Sequence, residues 1–181
     1  MLNRIKITQM NILAIIGSAT EESSNLKLVE YITDHFESMN IDIFNDLKNL
    51  PHFDTSITDE NIPENVQAIK SRIEKVDGII FSTPEYIFSI PSGLKNLLEW
   101  CVSSVIFTNK PVSIITASAS GERGHEELKL ILETLGAKVS EDNNLLIKGI
   151  KGRFDNSSQL NDQTANELNI TINHFIKTVG G

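Results

Sequence analysis

Four hydroxyls and an amide crowd into a short stretch near the start of the chain: Ser18, Thr20, Ser23, Ser24 and Asn25. All five can donate hydrogen bonds and none carries a formal charge. Gly17 precedes them and Leu26 follows, so an apolar run, Ile12 to Ile16, ends in a loop that opens an amphipathic segment. Helix N-termini present unpaired N–H groups and the positive end of the dipole. The constellation therefore suits a phosphate. It equally suits an ordinary strand–loop–helix corner in which Ser24 only caps the helix, and these residues alone leave both readings open.

Two further loops carry unusual chemistry. Thr83–Ser92 holds Pro84 and Pro91 for rigidity, Tyr86 and Phe88 for stacking, and a run of backbone N–H groups. Phe88 lies in an apolar Ile-Phe-x-Ile sequence and reads better as core packing or an oligomer contact. Ser118–Gly124 is small and Gly-containing, so its backbone can approach a flat ligand closely. A phosphate cradle beside an aromatic loop and a small-residue loop suits a phosphorylated planar cofactor. No Ser-His-Asp or paired-carboxylate constellation accompanies the loops, so no catalytic side chain is expected. His35, His52, His125 and His174 are scattered and Cys101 is alone, so no metal site is expected.

The elements that must position these loops follow from periodicity. Leu28, Val29, Ile32, Phe36 and Met39 mark one helical face, and Ile41–Phe44 alternates like a short strand. Residues 45–63 read as too polar and broken for regular structure. Val66, Ile69, Ile73 and Val76 define a second helix, ended by Asp77 and Gly78, and Gly78–Ser82 is a second buried strand. Pro91 starts a helix whose apolar face runs Leu94, Leu97, Leu98, Cys101, Val102, Val105. Pro111–Ala117 is again continuous and apolar. Leu128, Ile131, Leu132 and Leu135 form the next helix, stopped by Gly136. Leu145–Ile147 is the last strand, and Leu168, Ile172, Phe175 and Ile176 face a closing helix that ends near Gly180. Continuous apolar strands alternating with helices imply an α/β fold, its parallel sheet covered on both faces. In the order 2-1-3-4-5 the three loops converge outside the carboxyl ends of the strands.

At 181 residues, the chain reads as one domain, 1–181, with 1–10 as an N-terminal extension. The formal charge is −8, and no Lys/Arg cluster interrupts it. That balance argues against nucleic acid or an anionic membrane as partner. Met1–Lys6 resembles the charged start of a signal peptide, but the apolar run behind it is short, lacks a small-residue cleavage site and serves better as the first strand. No segment is long enough to span a membrane. A cytoplasmic protein is expected.

The stretch Thr83-Pro-Glu-Tyr-Ile-Phe-Ser-Ile-Pro-Ser-Gly-Leu-Lys-Asn-Leu-Leu-Glu-Trp100 closely resembles the TPEYN-x-S-x-PG-x-LKN-x-x-[DE]-W pattern of the NADPH-dependent FMN reductases. Gly17–Asn25 is similar to that family's G-S-x-R-x-x-S-x-N phosphate loop, and Gly121–Leu132 resembles its G-x-R-x-Q-x-x-L-R-x-x-L. The resemblance spans Asn11 to about Val139 with the motifs in the same order. It implies a flavodoxin-like three-layer sandwich and an oxidoreductase that passes hydride from NADPH or NADH to FMN. The electrons then go on to a quinone, azo compound, metal oxyanion or free flavin.

Carried residue by residue, the resemblance implies that Ser18, Thr20, Ser23, Ser24 and Asn25 surround the FMN phosphate. Pro84, Glu85, Tyr86 and Ile87 would line the ring and ribityl, with Ser118 and Gly121 on the far side. Lys95, Asn96 and Trp100 would hold the helix and subunit packing, since the family commonly forms homodimers or homotetramers. Two departures stand out. Thr20, followed by Glu21 and Glu22, replaces the pattern's Arg and should weaken anion binding. Ile87 replaces its Asn. Beside the enzyme, two other readings remain: a flavin-binding electron carrier, and a degenerate flavodoxin-like interaction domain without catalysis.

Overall fold

The computed structural model describes residues 9–20, 22–155 and 157–181. Most of the expected 1–10 extension, together with Glu21, lies outside the described residues, and Met10 already opens the first strand. Five parallel strands stand in the order β2-β1-β3-β4-β5. They are β1 (Met10–Ile16), β2 (Met39–Phe44), β3 (Gly78–Thr83), β4 (Val112–Ser118) and β5 (Asn144–Lys148). The helices are α1 (Ser24–His35), α2 (Glu64–Lys75), α3 (Ser92–Trp100), α4 (Glu122–Thr134) and α5 (Asp162–Gly180). This is the flavodoxin-like arrangement expected from the sequence.

Side chains alternate across a strand, so each central strand feeds both faces of the sheet. Ile12, Ala14 and Ile16 of β1 pack against Leu28, Val29 and Ile32 of α1 and Leu168, Ile172 and Phe175 of α5. Leu13 and Ile15 face the opposite layer, where Ile69 and Ile73 of α2, Leu94 and Leu97 of α3, and Leu128 and Leu132 of α4 complete a second core. Burial on both faces explains why β1, β3 and β4 are continuous apolar runs.

Local chemistry corrects several boundaries. Met39, assigned above to the α1 face, starts β2 instead, because Phe36 has already left helical geometry as the C-cap. Residues 45–63 are not wholly irregular: single 3-10 turns form at Leu47–Asn49 and Asp59–Asn61. The segment is held down from α3. Asn96 donates to the Pro51 carbonyl and accepts from the Phe53 N–H, and the Trp100 indole N–H donates to the same carbonyl at 2.8 Å. Helix α3 stops at Trp100, and the Ser104 hydroxyl and N–H both turn back to the Cys101 carbonyl. Val102 and Val105 therefore lie past the helix and are exposed, whereas Cys101 and Phe107 are core. Cys101 is an inert thiol, pushed up to about 12 by burial.

Gly17 marks where β1 becomes loop, and a methyl there would lie 2.2 Å from Thr83 Oγ1 and 2.6 Å from Thr83 Cβ. Both contacts belong to a buried β3 terminus that cannot retreat. Gly17→Ala should therefore destabilise the protein by about 1–3 kcal/mol, the usual cost of overpacking, read as a lower midpoint in urea unfolding. An unchanged midpoint would show that the strand ends are looser than this packing requires.

Candidate flavin site at the strand ends

The carboxyl ends of β1, β3, β4 and β5 surround a cavity of about 570 Å³. Its floor is the start of α1. Ser23 is the N-cap: its hydroxyl accepts from the Leu26 N–H, and its carbonyl accepts the first i→i−4 bond from Lys27. Ser23, rather than Ser24, thus fills the capping role, and the N–H groups of Ser24 and Asn25 precede the helical ladder. Ser18 and Thr20 hold the loop above them, hydroxyl to hydroxyl at 3.1 Å, with the Thr20 N–H donating to Ser18 Oγ.

Asn25 is 3% exposed, and its side chain turns inward. Its Nδ2 donates to the Ala117 carbonyl at the end of β4, and its Oδ1 accepts from Ser82 Oγ at the end of β3. The Ser82 hydroxyl also reaches the Asn25 carbonyl at 2.9 Å. What Asn25 can offer an anion is its backbone N–H, because its amide already joins two strand ends, those of β3 and β4.

Of the residues named from the sequence, Ser18, Thr20, Ser23, Ser24, Asn25, Pro84, Tyr86 and Ser118 line this cavity. Glu85, Ile87 and Gly121 do not. Glu85 points its carboxylate at the start of α4 and accepts from the N–H groups of Gly121 and Gly124, at 3.3 and 2.9 Å. An anion at an uncapped helix start is favourable there. Gly124 admits this approach, since a Cβ on it would touch Glu85 and the Ser89 carbonyl at 3.3 Å. Glu127 of α4 answers from the other side, accepting from the Ser89 hydroxyl and the Ile90 N–H at 2.6 and 3.0 Å. One carboxylate from each element thus clamps the β3–α3 loop to α4. Beneath the clamp, Thr116 Oγ1 lies 2.8 Å from His125 Nδ1, and burial pushes His125 below the usual histidine range.

The clamped loop folds back on itself. Tyr86 and Ser89 exchange both backbone hydrogen bonds, and between them Ile87 and Phe88 take φ of 50° and 58°. Two positive φ values inside such a pair are the type I′ pattern, which favours Asn-Gly. Ile87 is 95% exposed and Phe88 76% exposed. Core packing for Phe88 is therefore overturned: the turn's handedness throws both side chains outward.

Sequence reasoning missed the fourth wall. Gly149, Ile150, Lys151 and Gly152, after β5, line the same cavity as the phosphate-ready loop. Two glycines and a lysine directly behind a strand were the available signal. A second cavity of about 310 Å³ shares Ser18, Thr20 and Tyr86 with the first and extends to Leu47, Leu50, His52 and Pro91. Among the described residues no helix is long and apolar enough to cross a membrane, and no His/Cys/Asp/Glu cluster could hold a metal.

Residues 10–151 match the family model described as NADPH-dependent FMN reductase. The NADH:(hydroxy)cinnamate reductase subunit CrdA of Vibrio ruber is 33% identical over 161 residues, covering 85% of this chain and 79% of the relative. The NADH-dependent flavin reductase subunit 2 of Lactobacillus johnsonii is 30% identical over 183 residues, covering 94% and 97%. Among solved structures, the flavoenzyme NAD(P)H:(acceptor) oxidoreductase FerB of Paracoccus denitrificans superposes with a TM-score of 0.77 over 94% of this chain and 97% of its own. At 20% identity that last likeness speaks for the fold.

The turn at Ile87 and Phe88 stores strain, because a left-handed backbone costs an L-residue roughly 1–2 kcal/mol. The double variant Ile87→Asn, Phe88→Gly should unfold at a higher temperature, with a gain of about 1–2 kcal/mol. A lower melting temperature would mean that the two side chains are held by contacts stronger than the strain.

Proposed function

The chain belongs to the NADPH-dependent FMN reductases, oxidoreductases that pair FMN with NAD(P)H, and on that premise we propose a two-stroke reductase whose donor and acceptor use one site in turn. The observation that carries this is the larger cavity, where a helix N-terminus, a hydroxyl loop and small residues at strand ends meet around one space. Its size falls within the range of cofactor clefts, so the residues present fit FMN. FMN, when bound, accepts hydride from NAD(P)H and passes two electrons on to an acceptor.

The chain's own work is binding, orientation and exclusion of water. The N–H groups of Ser24 and Asn25 and the hydroxyls of Ser18, Thr20 and Ser23 receive the phosphate. Pro84 and Tyr86 border the ring and ribityl, with Ser118 closing the other side. The Glu85–Glu127 clamp fixes the distance between those two walls. The adjoining cavity behind Tyr86 gives the second substrate a place against the same wall. A donor and an acceptor that share it must alternate, which leads to ping-pong kinetics. The acceptor class is a small planar molecule such as a quinone, in line with the names of quinone reductases that are 33% identical over 108 residues. We place the enzyme in the cytoplasm, where both nucleotides are supplied.

Assembly is part of the proposal. Val102 and Val105, 62% and 81% exposed just past α3, form the apolar surface left over once Leu94, Leu98 and Trp100 are used in the core. We assign them to a contact with a second copy. Sedimentation at micromolar concentration should give a dimer or larger species. A mass of 20.1 kDa would remove the self-contact. It would favour the alternative suggested by the word subunit in two relatives' names, a complex with a different chain.

The test of the activity is anaerobic. Protein loaded with FMN should lose its visible flavin absorbance on adding NADPH or NADH and regain it on adding a quinone. Absorbance unmoved by both nucleotides would leave a flavin carrier in place of the enzyme.

A further inference from the structure

The wall of the larger cavity holds two formal charges among the described residues, the carboxylate of Glu22 and the ammonium of Lys151. The hydroxyl loop between Gly17 and Asn25 contributes no cation, and the chain as a whole carries a formal charge of −8. A phosphate dianion brought to the start of α1 meets only dipoles there, with Glu22 repelling it. Opposite-charge contact within a few ångströms, with charge-assisted hydrogen bonds, is the strongest interaction available to such a ligand.

Other cations near this edge are committed elsewhere. Lys27 donates to the Ser158 hydroxyl and lies over the Phe154 ring. Lys148 pairs with Glu122, Arg123 pairs with Glu126 at 3.0 Å, and Arg153 Nε donates to the Lys148 carbonyl. Lys151 is exposed, lines the cavity and belongs to none of these pairs.

The backbone beneath Lys151 is fixed. Ile150 is 7% exposed and packs into the core shared by α1 and α5. The Gly149 N–H donates to the Ala119 carbonyl, tying the turn to the end of β4, and Gly149 takes φ of 64° to make the corner. The Gly152 N–H closes the turn on the Gly149 carbonyl at 3.0 Å. A long flexible cation thus stands on a rigid base in the wall of the cavity that the hydroxyl loop also lines.

We propose that Lys151, on the loop after β5, is the cation that pairs with the ligand's phosphate, while the hydroxyl loop supplies neutral donors. This rests on the reading that the cavity takes FMN. It also accounts for a neutral Thr20 in the loop: the positive charge arrives from the far end of the sheet.

The experiment compares FMN with riboflavin, which lacks the phosphate, by quenching of flavin fluorescence. Wild-type protein should bind FMN more tightly than riboflavin. Lys151→Ala should weaken FMN by about tenfold to a hundredfold, the range for one charge-assisted contact, and leave riboflavin unchanged. Lys151→Arg should retain FMN, and Glu22→Gln should tighten it. Adding Thr20→Arg to Lys151→Ala should restore much of the lost affinity, since a guanidinium in the loop would do the same work. Lys151→Ala with wild-type FMN affinity would overturn the assignment and leave the flavin site standing. Equal losses for FMN and riboflavin would also overturn it, by showing a structural role for the loop. A wild-type protein that binds neither flavin would sink both the assignment and the function beneath it.

Discussion

A single buried amide, that of Asn25, ties the functional edge together. It leaves the first turn of α1, donates to the end of β4 and accepts from the hydroxyl at the end of β3. Leaving either partner unmade in that dry position costs about 1–3 kcal/mol, more than the bond yields when formed. The loop after β1 is therefore positioned by the sheet's other strands and not only by its own turn. Parallel strands supply the rest of the constraint. Their carboxyl ends emerge on one edge, so any loop that leaves them shares a floor with its neighbours.

Electrostatics on that edge are local rather than global. An acidic chain must offer an anion local donors against its net repulsion, and the start of α1 carries such dipoles and hydroxyls. The acids nearby do mechanical work in the meantime. Glu85 and Glu127 each accept backbone hydrogens from the other's element, so the two walls of the cavity keep a fixed spacing. Removing one carboxylate would free a loop on one side and bare a helix N-terminus on the other.

That clamp also explains how an unfavourable turn persists. Ile87 and Phe88 adopt left-handed backbone with their apolar side chains in solvent, two choices that an isolated peptide would avoid. The flanking residues are over-determined: Tyr86 and Ser89 bond each other twice, Ser89 and Ile90 are held by Glu127, and Pro84 and Pro91 stiffen the approaches. Strain of this kind survives where surrounding structure fixes it, and such places gather around ligand sites.

The amino-acid sequence alone determined the architecture. Continuous apolar runs separated by 3.6-periodic segments admit a parallel sheet with helices on both faces, and the family's motifs appear in order along it. Within regular elements, side-chain direction follows from period, so the core residues of the strands and long helices were legible in advance, whereas the core positions of Leu47, Leu50, Ile90 and Phe107 were not. Loops have no such rule. Whether Asn25 faced a ligand or the strand ends, whether Phe88 pointed in or out, and whether α3 continued through Val102 were decided by contacts from elements distant in sequence. The part played by the loop at Gly149–Gly152 was hidden for the same reason. Its nearest neighbour in the cavity wall is the β4 loop at Ala119, thirty residues earlier. Only pairing β5 beside β4 brings Lys151 to the same space as Ser18.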